Sequence, residues 1–219
     1  GFDLDALYRA LAVEDSEKKV LLFNFPNNPS GYAITTKEAY AIRDLLLARA
    51  MSGETLIVII DDAYFGLSYE DDCFQESLFA LLADLHERII AVKIDGASKE
   101  DFAWGLRVGF ITFGYKGMSE ETASALEKKA AGVVRGSLSN VSNIGQNMLF
   151  HAYSSQRYER EKEEKRLLLH SRYERVREYL SEHDIADVYT PIPFNAGYFL
   201  SLRVHPSLEA ERIRLMFFL

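Results

Sequence analysis

The 219-residue sequence is 48% hydrophobic and 12% aromatic, enough for a sizeable core, and its length suits one large domain or one domain with part of a second. A formal net charge of −8 argues against nucleic acid or an anionic membrane as the main partner, and no apolar run approaches the roughly 20 residues of a membrane span. The single cysteine, Cys73, cannot close an internal disulfide and fits a reducing compartment; with no signal-peptide pattern at the N-terminus, the expected location is the cytoplasm.

Phe2 to Ala12 reads as a short amphipathic helix, and the apolar run Lys19 to Phe25 as a parallel strand buried on both faces. Pro26, Pro29 and Gly31 mark a turn. Thr35-Thr36-Lys37-Glu38 then has the form of a capping box, opening a helix to about Ala50. Leu56 to Ile60 predicts a second buried strand with Asp61 at its C-terminal end, Leu78 to His86 a short helix, Ile89 to Ile94 a third strand and Val108 to Gly114 a fourth. This alternation predicts a mostly parallel α/β sheet with its ligand site beyond the strand C-terminal ends. Helices are expected over Glu120 to Ala131 and Ile144 to Tyr153, separated by a Ser/Asn-rich loop. Ser154 to Glu182 reads as a long helix with a solvated, charged face. Two strands, Ile185 to Ile192 and Gly197 to Val204, and a helix from Leu208 complete the pattern.

Three short segments carry chemistry. Ser98-Lys99 follows the third strand and leads to Gly105-Leu106-Arg107-Val108-Gly109; Asn27-Asn28-Pro29-Ser30-Gly31 and Asp61-Asp62-Ala63-Tyr64 lie upstream. Singly, each has an ordinary reading: a surface lysine, a turn asparagine, a strand-capping aspartate. Together and in this order they resemble the signatures of fold-type-I, class I/II aminotransferases of the aspartate aminotransferase kind, enzymes that depend on pyridoxal 5′-phosphate (PLP). The resemblance runs roughly from Phe2 to Val204.

That resemblance implies a three-layer α/β sandwich around the sheet, with residues 1–153 belonging to a large PLP-binding domain. Residues 154–183 would form an interdomain helix, and 184–219 part of a small α+β C-terminal domain. It implies Lys99 as the catalytic lysine, forming an aldimine with PLP and moving a proton once freed. Asp61 would keep the pyridine nitrogen protonated; Tyr64 and Asn28 would bind the phenolic oxygen. Arg107 would grip the phosphate with its planar fork, helped by Ser98. Many members carry a serine three residues before the lysine, where this sequence has Gly96. Phe102 and Trp104 read as packing residues of the loop. Arg135 precedes Ser139-Asn140 at the spacing of an arginine that, in aspartate-type members, binds the substrate's side-chain carboxylate across a homodimer. The prolines that follow there are replaced by Val141-Ser142.

The implied activity is transfer of an amino group from an L-amino acid, such as aspartate or glutamate, to a 2-oxo acid, with no metal required. A carbon–sulfur β-lyase and an aminotransferase-like, non-catalytic effector domain share these motifs and stay open as alternatives. The family's phosphate-cradling glycine turn, ring-stacking aromatic and α-carboxylate arginine have no counterpart in the sequence. It is therefore expected to be a fragment lacking N- and C-terminal parts.

Overall fold

A computed structural model describes residues 1–13, 17–183 and 186–216. Helix α1 (Leu4–Leu11) starts where the Asp3 carboxylate accepts a hydrogen bond from Ala6 N at 2.7 Å. Strand β1 (Lys18–Asn24), helix α2 (Thr36–Met51), strand β2 (Thr55–Asp61), helix α3 (Leu78–Leu82) and strand β3 (Ile89–Gly96) follow in α/β alternation. Strand β4 (Gly109–Gly114) turns back, so the sheet order β1-β2-β3-β4 is parallel except for the antiparallel β3–β4 pair. Helices α4 (Glu120–Ser137), α5 (Asn143–Tyr153) and α6 (Tyr158–Glu182) come next, then strands β5 (Tyr189–Pro191) and β6 (Leu202–Val204) and helix α7 (Ala210–Met216). Among the described residues no helix is long and apolar enough to cross a membrane.

The core lies between the sheet and α2 with α3. Ile42 and Leu46 of α2 meet Leu56, Val58 and Ile60 of β2 and Ile89 and Ala91 of β3, all at most 2% exposed. Each of the Ile, Leu and Val side chains among them contributes roughly 1.5–3 kcal/mol by leaving water. The expectation that β1 is buried on both faces needs correction: it alternates, with Val20 and Leu22 62% and 67% exposed on the side away from α2.

Other boundaries move for local reasons. Helix α3 stops at Leu82 instead of His86 because Ala83 to Leu85 tighten into turns, with Leu85 N donating to Leu82 O at 3.2 Å. Helix α4 runs past Ala131 to Ser137, through Gly132. Strands β5 and β6 are much shorter than the sequence suggests; Ile185, where the first was expected to begin, lies outside the described residues. Pro191 and Pro193 lack the N–H a ladder needs, and 197–199 leave the pairing direction to pack on the loops above the sheet.

The capping box is present as read. Glu38 N donates to Thr35 Oγ1 at 3.2 Å, and Thr35 N donates to Glu38 Oε2 at 2.8 Å. Glu38 also accepts from Tyr32 Oη and Phe2 N, both at 2.7 Å, so one carboxylate ties α1's entry to α2. Burial alone would raise its pKa, but the hydrogen bonds from Thr35, Tyr32 and Phe2 prevail and lower it. A folded-state value below the unfolded one means stabilisation that is complete above about pH 4.3 and is lost as pH falls through the folded value. Glu38→Gln is expected to cost about 1–2 kcal/mol at pH 7 and to flatten the acid limb. Urea midpoints of both proteins between neutral and acid pH check this; parallel curves would refute it.

Candidate active site

Parallel register sets the site. Asn24 pairs with Asp61, and Asp61 with Ile94, so the ends of β1, β2 and β3 lie side by side and their following loops rise on one edge. Asn28, Tyr64 and Lys99 stand on those three loops.

The first loop is held by asparagines. Asn24 Nδ2 donates to the Asp61 carbonyl at 3.2 Å, while Asn24 Oδ1 accepts from Asn28 N at 3.0 Å and Asn27 Nδ2 at 3.2 Å. Asn27 Oδ1 accepts from Ser30 Oγ at 2.7 Å. This ladder places Asn28 Nδ2 3.5 Å from Tyr64 Oη, to which it donates. Tyr64 is 6% exposed, its ring edge-on to Tyr198 and Phe199, each at 5.4 Å between centroids. Lys99 Nζ lies 5.9 Å from the same ring centroid. An amide, a phenol and an amine therefore meet at Tyr64.

Asp61 and Asp62 separate by the strand's alternation. Asp61 keeps a half-exposed carboxylate that accepts from Ala63 N at 3.1 Å, and it lines an open groove of about 840 Å³ with Asn24 and Asn28. Tyr64 and Lys99 lie outside that groove's lining. Asp62, 3% exposed, is on the other side, with Lys93 Nζ at 3.9 Å; Lys93 is bound more closely to Asp95. Burial pushes the Asp62 carboxyl up to about 6 against the opposing pull of Ser77 and Lys93.

The third loop leaves β3 and returns to β4 through the Gly96–Gly109 pair. A Cβ on Gly96 would lie 2.7 Å from the Val108 carbonyl, a steric reason for glycine at this position. Phe102 and Arg107 adopt φ of 55° and 54°, the left-handed region that non-glycine residues seldom occupy and that concentrates at functional loops. Arg107 is exposed and its Nη1 donates to Trp104 O at 3.4 Å; Ser98 is half-buried beside Lys99. Phe102 packs against the Tyr64 cluster as expected, but Trp104 is 66% exposed and packs little. Arg135 sits on the last turn of α4, not in a loop, where its Nη1 donates to Ser139 Oγ at 2.9 Å.

Sequence reasoning missed Asn24, Asn195 and Tyr198. Asn195, 9% exposed, accepts from Ala33 N at 2.7 Å and donates to Ala33 O at 2.9 Å, fastening 195–199 onto the Asn28 loop. A polar residue ending the apolar run of β1 was the only available signal for Asn24.

A mostly parallel sheet with polar groups converging beyond its strand C-terminal ends defines an α/β protein of the ligand-binding type. The chain belongs to the aminotransferase class I and II family, whose description matches residues 1–215. An aminotransferase from Anaerococcus prevotii superposes with a TM-score of 0.78 at 28% identity, over 91% of this chain and 49% of its own. Aspartate aminotransferases from Thermotoga maritima (TM-score 0.62, 21% identity, 89% and 44% covered) and Thermus thermophilus (TM-score 0.64, 22% identity, 91% and 45% covered) share the fold. The chain thus spans about half the length of the solved structures it matches. No curated protein matches it.

Proposed function

We propose that the protein is a PLP-dependent aminotransferase that transfers an amino group from an L-amino acid to a 2-oxo acid, with Lys99 as the lysine that carries the cofactor. The convergence of Asn28, Tyr64 and Lys99 above the aligned ends of β1–β3 carries this reading. The set fits PLP chemically: an amine for its aldehyde, a phenol and an amide for its phenolic oxygen, a carboxylate for its ring nitrogen, a guanidinium for its phosphate. When bound, the cofactor supplies an electron sink for the bond broken at the substrate's α-carbon.

The protein's part is to hold that group and to time the protons. Asp61, on the groove side of β2, would pair with the ring nitrogen; Tyr64 Oη and Asn28 Nδ2 would donate to the phenolic oxygen. Arg107 and Ser98 would hold the phosphate from the loop of left-handed residues. Lys99 Nζ, once free, would accept the proton from the substrate's α-carbon and return it to the cofactor. Arg135 would select a substrate side-chain carboxylate across a homodimer, favouring aspartate or glutamate. Residues 1–153, 154–183 and 184–219 would be the large-domain part, the interdomain helix and the small-domain part of a cytoplasmic enzyme.

The test uses the full-length protein loaded with PLP and given L-aspartate or L-glutamate with no 2-oxo acid present. Loss of the visible band, gain of near-ultraviolet absorbance and stoichiometric release of the matching 2-oxo acid are expected. Release of pyruvate and ammonia from cystathionine, without such conversion, would replace the reading with a lyase.

A further inference from the structure

The residues immediately after Lys99 are gripped from outside the sheet. Phe102 N donates to the Lys99 carbonyl at 3.2 Å and Ala103 N to the Ala97 carbonyl at 3.1 Å, closing a tight turn with Glu100 and Asp101 at its centre. Both central carboxylates are engaged by the corner between α5 and α6. Tyr153, the last residue of α5, donates to Asp101 Oδ2 at 2.6 Å; Tyr158, the first of α6, donates to Asp101 Oδ1. Lys162 Nζ reaches Glu100 Oε1 at 3.0 Å, Asp101 Oδ1 at 3.2 Å and Tyr158 Oη at 3.3 Å. The Asp101 side chain is only 6% exposed, and the two tyrosine rings cross edge-on at 5.1 Å. Burial alone would lower the Lys162 pKa, but Glu100 and Asp101 hold it above its ordinary range, so the ammonium stays charged throughout neutral pH.

We propose that Asp101 and Lys162 are positioning residues for Lys99, fixing the turn from which it projects and coupling that turn to α6. The proposal rests on the reading of Lys99 as the cofactor-bearing lysine. Tyr158 and Lys162 are one helical turn apart on one face of α6, so any displacement of the helix carries both donors together. The turn they hold includes Phe102 in its left-handed conformation, a backbone state that persists only while its surroundings impose it. A lysine that must both carry a group and shuttle a proton needs its Cα fixed, since a misplacement of about 1 Å can cost on the order of 100-fold in rate.

A cluster that merely fastened α6 to the body would leave Lys99 indifferent to its loss, which separates the two roles. The variants are Asp101→Asn, Lys162→Met and the pair together, with Lys162→Arg as the conservative replacement, all in the full-length protein. In the cofactor-free state, hydrogen exchange of amides within 99–103 is expected to quicken on the order of tenfold in each single variant, while β1–β3 stay protected. With PLP bound, both single variants should shift the pH midpoint of the visible band in the same direction, and the double variant no further, as expected of groups sharing one clamp. Lys162→Arg should recover much of the shift. Normal exchange in 99–103 and an unmoved midpoint, with only α6 loosened, would overturn the proposal. A borohydride label on another lysine of the unmutated protein would overturn the Lys99 reading itself, and the label identifies that failure without recourse to the variants.

Discussion

Replacing Lys99 with alanine in the full-length protein is expected to abolish the cofactor that borohydride fixes covalently and to lower turnover by at least about 10²–10⁴-fold, the usual contribution of a positioned proton-transfer group. Its surroundings differ from those of the neighbouring lysines. Lys93 is bound to Asp95 with Asp62 at 3.9 Å, and Lys162 is bound to Glu100 and Asp101. Both nitrogens are committed to carboxylate partners, and for Lys162, where burial alone would lower the pKa, Glu100 and Asp101 raise it and keep the ammonium charged. Lys99 makes no ion pair among the described residues; it is half-buried, and its Nζ faces the Tyr64 ring at 5.9 Å. Mass spectrometry of peptides from the borohydride-reduced protein makes the check. The label should fall on the peptide containing Lys99 and vanish in Lys99→Ala; a label retained on Lys93 or Lys162 would sink the assignment.

The features legible in the sequence were those whose causes are local. The apolar runs of β1, β2 and β3 and the Thr35–Glu38 box placed their elements to within two residues, because side-chain pattern and cap chemistry act over one or two turns. The order of Asn28, Tyr64 and Lys99 also anticipated that they would share an edge, since a parallel register leaves loops that follow strands nowhere else to gather. What escaped depends on partners distant in sequence. Asn195 is fastened to Ala33 across 162 positions, and Lys162 to Asp101 across 61. Neither residue type nor local pattern distinguishes that asparagine from a turn residue or that lysine from the rest of α6's charged face. The short β5 and β6 have the same origin: the propensity of 197–199 for strand gives way to packing on Tyr64.

Gly31→Ala is expected to damage both stability and cofactor binding, by more than its size suggests. Gly31 has φ of 73°, where alanine loses about 1–2 kcal/mol relative to its preferred conformations. The larger difficulty is space, because a Cβ there would lie 2.2 Å from the Phe199 carbonyl oxygen and 3.1 Å from that of Ala196. Those atoms are backbone, so no rotamer change relieves the overlap; 195–199 must move away. Doing so breaks the hydrogen bonds that Asn195 N and Ala196 N donate to the Gly31 carbonyl, each 2.9 Å long, and strains the Asn195–Ala33 pair. With roughly 1–3 kcal/mol at stake for each buried polar group left unsatisfied, a total loss of about 3 kcal/mol or more is expected. The displacement also draws Tyr198 and Phe199 off the Tyr64 ring and loosens the loop bearing Asn28, so PLP affinity should fall along with stability. Gly66 supplies the control: its φ of 78° is nearly the same, but a Cβ there meets nothing within 4 Å. Gly66→Ala should therefore show the conformational cost of about 1–2 kcal/mol alone. Urea unfolding of the two variants in the full-length protein compares the costs directly. Equal midpoints would mean that the contact between Gly31 and the 195–199 segment contributes nothing to stability.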